Sequence, residues 1–182
     1  MKFQLRRMSM VSWTFIALSV GSVSYLAFSA LDYIAFYPSL AQLKASTWRI
    51  SFQQGSSASS ALVVQVSVSN PSGSSAFTIT NIVLTIFFTN SSSSSNSTYR
   101  LFAPGGILAN QDVTKKLTPH STFNSTIIVA LNPSQTTSLS SFIQTNTGKV
   151  MAQVTLDTQI LTFLEPVAGR LPLESIDSLP LS

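Results

Sequence analysis

Between Met8 and Leu31 (MSMVSWTFIALSVGSVSYLAFSAL) no charged side chain interrupts the chain; Lys2, Arg6 and Arg7 precede the stretch and Asp32 comes directly after it. As a helix it rises about 36 Å at about 1.5 Å per residue, enough to cross a hydrocarbon core of about 30 Å. A helix also pairs its backbone N–H and C=O groups within itself, which lipid demands. The expectation is a transmembrane helix over residues 8–31. The basic flank orients it, leaving a cytoplasmic N-terminus at 1–7 and sending the rest of the chain outside. Ala27-Phe28-Ser29 offers small residues for signal cleavage, but the apolar run exceeds the roughly 7–15 residues of a signal-peptide core. The segment therefore reads as an uncleaved signal-anchor of a single-pass cell-membrane protein, with the aromatic cluster Tyr33, Phe36 and Tyr37 at the headgroup level.

The remainder of the chain divides into a stalk at 32–46, a β-domain at 47–165 and an extended tail at 166–182. The stalk can continue the helix, with Pro38 as a kink or a restart. From Thr47 the period changes to two. Trp48, Ile50 and Phe52 alternate with Arg49, Ser51 and Gln53, and Leu62, Val64, Val66 and Val68 alternate with Gln65, Ser67 and Ser69. Asn70-Pro71-Ser72-Gly73 stops that strand. The next begins at Phe77 and Ile79 and changes parity to Ile82, Leu84, Ile86 and Phe88, as a β-bulge produces; two strands broken at Thr80-Asn81 is the alternative.

Asn90–Ser97 (NSSSSSNS) is too poor in apolar surface to pack and reads as a hairpin tip. A short strand at Tyr99–Phe102, a turn at Pro104-Gly105-Gly106 and a weakly patterned strand at Ile107–Leu117 come next. Phe123, Ile127, Val129 and Leu131 then share one face, opposite Asn124, Thr126 and Ile128. Thr137–Gln144 reads as a single helical turn packing Leu139, Phe142 and Ile143. Val150, Ala152, Val154, Leu156 and Ile160 define the last long strand, and Pro166, Pro172 and Pro180 take the tail out of regular structure. About seven short strands between turn signals predict an all-β fold, an antiparallel immunoglobulin/fibronectin-like β-sandwich behind one transmembrane helix.

The composition narrows the function. Charged residues are 9% of the chain and net charge is +4, part of it in the N-terminal flank. Exterior cations are scattered singly apart from Lys115-Lys116, so no face for nucleic acid is evident. Without cysteine, disulfides, thiol catalysis and thiolate metal sites are excluded. Six acidic groups and one histidine leave little to couple folding to pH. His120, in Pro119-His120-Ser121, reads as a solvated turn residue. Asp112, Asp157, Glu174, Asp177 and Glu165 have no spacing of a metal cage or an acid–base pair. No catalytic, cofactor or metal residue is therefore assigned, and an enzyme is not expected. Glycosylation acceptors fall at Asn90, Asn96 and Asn124, while Asn70 and Asn132 precede proline and are excluded.

Leu62–Phe88 (LVVQVSVSNPSGSSAFTITNIVLTIFF) resembles the signature of group-two late embryogenesis abundant proteins, the water stress and hypersensitive response (WHy) domain. Thr118–Leu131 and Gly148–Ile160 are similar to that family's later strands, so the resemblance spans about residues 47–163. It implies a fibronectin-like sandwich, often behind one membrane helix, with no catalytic residues to carry over and a link to desiccation or stress.

Together these readings give a non-enzymatic surface protein whose partners are the lipid bilayer and other envelope or membrane proteins, as a homo- or hetero-oligomer. The tail is the expected docking element, with Leu171, Leu173, Ile176, Leu179 and Leu181 adding a strand to a neighbouring sheet edge. On that view, removing Leu171–Ser182 releases partners without lowering the melting temperature. The alternatives are a subunit of a surface filament, motility apparatus or larger complex that bundles its helix through Ser19, Gly21, Ser22 and Ser24, and a stress-protective surface protein.

Overall fold

A computed structural model describes residues 10–55, 60–74, 77–91, 101–102, 105–162 and 171–182. Two units result, Met1–Ala41 and Gln42–Ser182. The first is built on helix α1 (Met10–Gln42), which runs through Pro38 and past the expected end of the membrane segment at Leu31. Proline there removes the bond to the carbonyl of Ile34 but leaves the helix continuous. Among the described residues no helix is long and apolar enough to cross a membrane.

The second unit holds strands β1 (Lys44–Gln53), β2 (Ala61–Asn70), β3 (Phe77–Asn90), β4 (Ile107–Leu117), β5 (Ser121–Ala130), β6 (Val150–Thr162) and β7 (Leu171–Pro180), with helix α2 (Pro133–Thr145) between β5 and β6. They form two antiparallel sheets, ordered β1-β2-β5 and β4-β3-β6-β7. The alternation read from the sequence fills the space between them. Leu62, Val64, Val66 and Val68 of β2 are fully buried, as are Ile82, Leu84, Ile86 and Phe88 of β3 and Ala152, Val154 and Leu156 of β6.

Two bulges set which side chains face inward. In β3 the register shifts between Ile79 and Asn81 against both neighbours, so one continuous strand changes parity and keeps Ile79 and Ile82 both in the core. In β1 it shifts between Thr47 and Arg49. That corrects the expected inward position of Trp48: the bulge turns it outward, 55% exposed, and buries Thr47 instead. Gly106 opens β4 with a left-handed φ of 67°; a Cβ there would meet Thr85 Cγ2 at 2.9 Å, so the backbone presses onto β3 as only glycine allows.

The stretch 133–145 is a full helix where a single turn was expected. Asn132 accepts from the Gln135 N–H (2.8 Å), Gln135 Oε1 accepts from the Asn132 N–H (3.0 Å), and Pro133 occupies the first turn. Leu139 is fully buried, and Phe142 and Ile143 are half-buried. Residues 1–9, the hairpin tip beyond Ser91, Tyr99, Arg100 and 163–170 lie outside the described residues, and Leu101 makes only an isolated bridge to Phe88.

The tail expected to leave regular structure is a strand. Every residue from Leu171 to Pro180 has a partner on β6, and the chain end continues onto β1: Phe52 N–H donates to Ser182 O (3.0 Å) and Ser182 N–H to Ile50 O (3.2 Å). One of its edges is laddered to β6, and β7 is the last strand of its sheet. Leu171, Leu173, Leu179 and Leu181 point to the half-buried side, and only Ile176 stands out at 65% exposure.

Two measurements check this packing. Truncation before Leu171 removes four half-buried leucines and uncovers the surface they pack on, a loss of roughly 4 kcal/mol at about 1 kcal/mol each. Thermal unfolding monitored by circular dichroism should then show a melting temperature lower by about 10 °C or more. Replacing Asn132 with Ala removes the capping box and should cost about 1 kcal/mol in urea titration, with no change in the sheets.

Candidate functional site

The side chains able to do chemistry are spread over the sandwich. His120 sits exposed in the β4–β5 turn with a left-handed φ of 52°, its backbone N–H donating to Ser72 O at 3.1 Å. Asp157 faces Glu174 across the β6–β7 ladder, Asp112 lies on β4, and Asp177 belongs to the seam between β7 and β1. Among the described residues no three His, Cys, Asp or Glu side chains are grouped to hold a metal ion. Glu165 lies outside the described residues.

Polar order concentrates at one end of the sandwich, where the chain enters β1. Asn70 closes β2 there and is fully buried, yet both ends of its amide are used. Its Nδ2 donates to Ser74 O (2.7 Å) and Thr118 O (3.2 Å), and its Oδ1 accepts from Ser72 N–H (3.1 Å) and Ser72 Oγ (2.6 Å). One side chain thus ties the β2–β3 turn to the β4–β5 turn, with the His120–Ser72 bond as a second tie. The Asn-Pro pair was legible as a strand stop; that its amide would bridge two turns was not, since Thr118 is 48 residues away.

Beside this hub a cleft of about 460 Å³ opens between the ends of β4 and β5, flanked by Lys115 and Lys116 and lined by Thr118, Ser121 and Asn124. Lys44 starts β1 at the same end, opposite Ser69 and so next to Asn70. At the far end, Gln54, Thr136, Ser140 and Gln144 line an uncharged groove of about 380 Å³ along α2. The Thr136 and Ser140 hydroxyls there are buried without a hydrogen-bond partner.

Of the glycosylation acceptors, Asn124 projects outward from β5 beside the lysine cleft. Asn90 ends β3 half-buried, its Nδ2 donating to Asn146 Oδ1. Asn96 lies outside the described residues. The five tail residues Leu171, Leu173, Ile176, Leu179 and Leu181 are not gathered into one exposed patch, because the β7 pleat separates Ile176 from the leucines.

These features define a class: a two-sheet antiparallel sandwich preceded by a long apolar helix. Residues 3–159 match the family described as "Protein of unknown function (DUF2393)", and the chain belongs to that family. No curated protein matches it. Among solved structures, similarity extends to a solution structure of an Arabidopsis thaliana protein (15% identity, 75% of this chain and 80% of that one, TM-score 0.44). It extends also to a protein from Archaeoglobus fulgidus (10%, 78% and 96%, 0.41) and to a candidate late embryogenesis abundant (LEA) protein (15%, 92% and 88%, 0.39). With all three scores below 0.5, neither fold nor function transfers from them. The family shown is DUF2393, and the group-two LEA/WHy resemblance is met only by the LEA protein among these low-scoring structures. The features that carried that resemblance, an alternating valine strand, Asn-Pro and an isoleucine-rich strand, are what a buried strand, a capped turn and a bulged central strand require here.

Replacing Asn70 with Ala removes a fully buried amide together with its bonds to the Ser74 and Thr118 carbonyls and to Ser72, and should cost about 2–4 kcal/mol in urea unfolding. Asn70→Asp keeps the acceptor but sets a carboxylate against two carbonyls. Its folded-state pKa is then raised, so the loss should be full at neutral pH and recede as acid protonates the group.

Proposed function

We propose that the chain is a non-enzymatic protein held to the cell membrane by α1, with an immunoglobulin/fibronectin-like sandwich on the extracytoplasmic side that acts by contact with other envelope or membrane proteins. The observation that carries this reading is the exposure of α1. Trp13, Phe15, Leu18, Val20, Val23, Tyr25, Leu26 and Phe28 are each at least 60% exposed. At 100° per residue these positions surround the axis, so the helix has no polar face to give to water. Lipid accommodates such a surface; water does not. The charge asymmetry of the sequence, Lys2, Arg6 and Arg7 before the helix, supports a cytoplasmic N-terminus.

The sandwich reading is supported by seven strands divided three and four, with connections that pass between sheets. A contact role fits the wide separation of the titratable groups, and glycans at the acceptor asparagines would lie on the exterior side. A second reading, helix bundling in a filament or larger complex, is favoured by one observation: Thr14, Ala17, Leu18, Gly21, Ser22 and Tyr25 line a shallow groove along one face of α1. Small residues there admit a second helix closely. A protective role under stress has only the sequence resemblance behind it.

The two tryptophans separate the units, Trp13 on α1 and Trp48 on β1. In a Trp48→Phe chain reconstituted in vesicles, lipids brominated in the acyl chains should quench Trp13 strongly; in a Trp13→Phe chain they should leave Trp48 bright. Recovery of the intact polypeptide in the aqueous wash, with Trp13 unquenched, would overturn the anchor.

A further inference from the structure

We infer that the lysine-bearing end of the sandwich docks on an anionic lipid surface, an inference that rests on the membrane-held reading proposed for α1. The antiparallel register places the start of β1, the ends of β2 and β4 and the β4–β5 turn at one end. Lys44 pairs with Ser69, Asn70 with Ser121, Phe77 with Leu117, Thr78 with Lys116 and Ile79 with Lys115. Lys44, Lys115 and Lys116 are all exposed there. They are three of the five described cations of the β-unit; Arg49 lies within β1, and Lys149 sits at the opposite end, its carbonyl bonded to Ser91 N–H.

Carboxylates stand back from this end. Among the described residues the nearest along β4 is Asp112, three and four residues before the lysine pair. Asp177 meets β1 at Thr47, three residues beyond Lys44, and is engaged there by the Thr47 N–H. At about 3.3 Å per residue both separations are about 10 Å or more. That is beyond the Debye length of about 8 Å at physiological salt, so no described carboxylate of β4 or of the β1–β7 seam compensates the lysines' positive field. The cleft they flank is otherwise lined by Leu117 and Phe123 and by the neutral polar side chains Thr118, Ser121, Thr122 and Asn124. The Ser121 hydroxyl donates to Thr118 O, and Thr118, Thr122 and Asn124 are donors suited to phosphate oxygens.

Only Leu43 separates α1 from Lys44 at the start of β1, so the tether that the proposed function puts at the lipid runs directly into the first of these lysines. Each lysine near an anionic surface multiplies the docked population about fivefold.

Lysine acetylation read by mass spectrometry tests this on the full chain in nanodiscs. With phosphatidylglycerol present, Lys115 and Lys116 should acetylate several-fold more slowly than in pure phosphatidylcholine discs, while Lys149 reacts equally in both. The protection should vanish in about 0.5 M salt, where the Debye length is about 4 Å. In a Lys115→Gln, Lys116→Gln chain, Lys44 should lose its own protection. Equal rates in both discs for a chain that has entered them would overturn the docking. So would protection that appears only on adding an acidic protein or polysaccharide. A chain that never enters the discs would overturn the membrane-held reading instead.

Discussion

The Asp177 carboxylate is where two sheets become one body. The Thr47 N–H beside the β1 bulge donates to Asp177 Oδ2 on β7 at 2.6 Å, with Ser175 Oγ on the same oxygen at 3.1 Å. At the other end of the same seam the Ser182 backbone exchanges bonds with Ile50 and Phe52. An unpaired backbone group near the core costs about as much as a lost hydrogen bond. The side chain thus does the work a ladder partner would do, and β1 and β7 are held together across sheets that share no ladder. The opposite side, between β4 and β5, has only the short turn to join it, and the cleft opens there.

That asymmetry explains how a chain with few charges distributes what it does with its surface. The seam engages Asp177 and the end of the tail. Hydroxyl and amide side chains cover most of the rest; α2 alone presents Ser134, Thr137 and Ser141 outward. The lysines at the β4–β5 end stand apart because nearly everything around them is neutral. In a protein this poor in charge, a pair of cations is a feature rather than background.

Much of the sandwich was readable from pattern. In β2 and β6 one parity is buried and the other half-buried, and in β5 an inward parity alternates with an exposed one, so period two settles both their existence and their faces. The bulge in β3 was readable for the same reason, as a parity change within a single run. The alternation of β1 misled, because Trp48 is large and apolar and sits where the pattern wants an inward residue, while the bulge is fixed by Asp177, 130 positions away. The α2 capping box, Asn132-Pro133-Ser134-Gln135, is present in the sequence, yet the expected turn, placed by the apolar residues Leu139, Phe142 and Ile143, starts only at Thr137. The tail misled because its prolines suit an edge strand, where outward Pro172 and Pro180 need no ladder donor.

By itself the sequence determined a long apolar helix, a β-domain after it, the absence of thiol chemistry and the inward residues of the central strands. These depend on local spacing and residue type, which a linear reading contains. Tertiary structure alone decided that the tail completes a sheet, that Asn70 fastens two turns and that three lysines distant in the chain share one end. Each of those rests on which strand lies beside which, and strand neighbours are chosen by long-range pairing that no window of residues encodes.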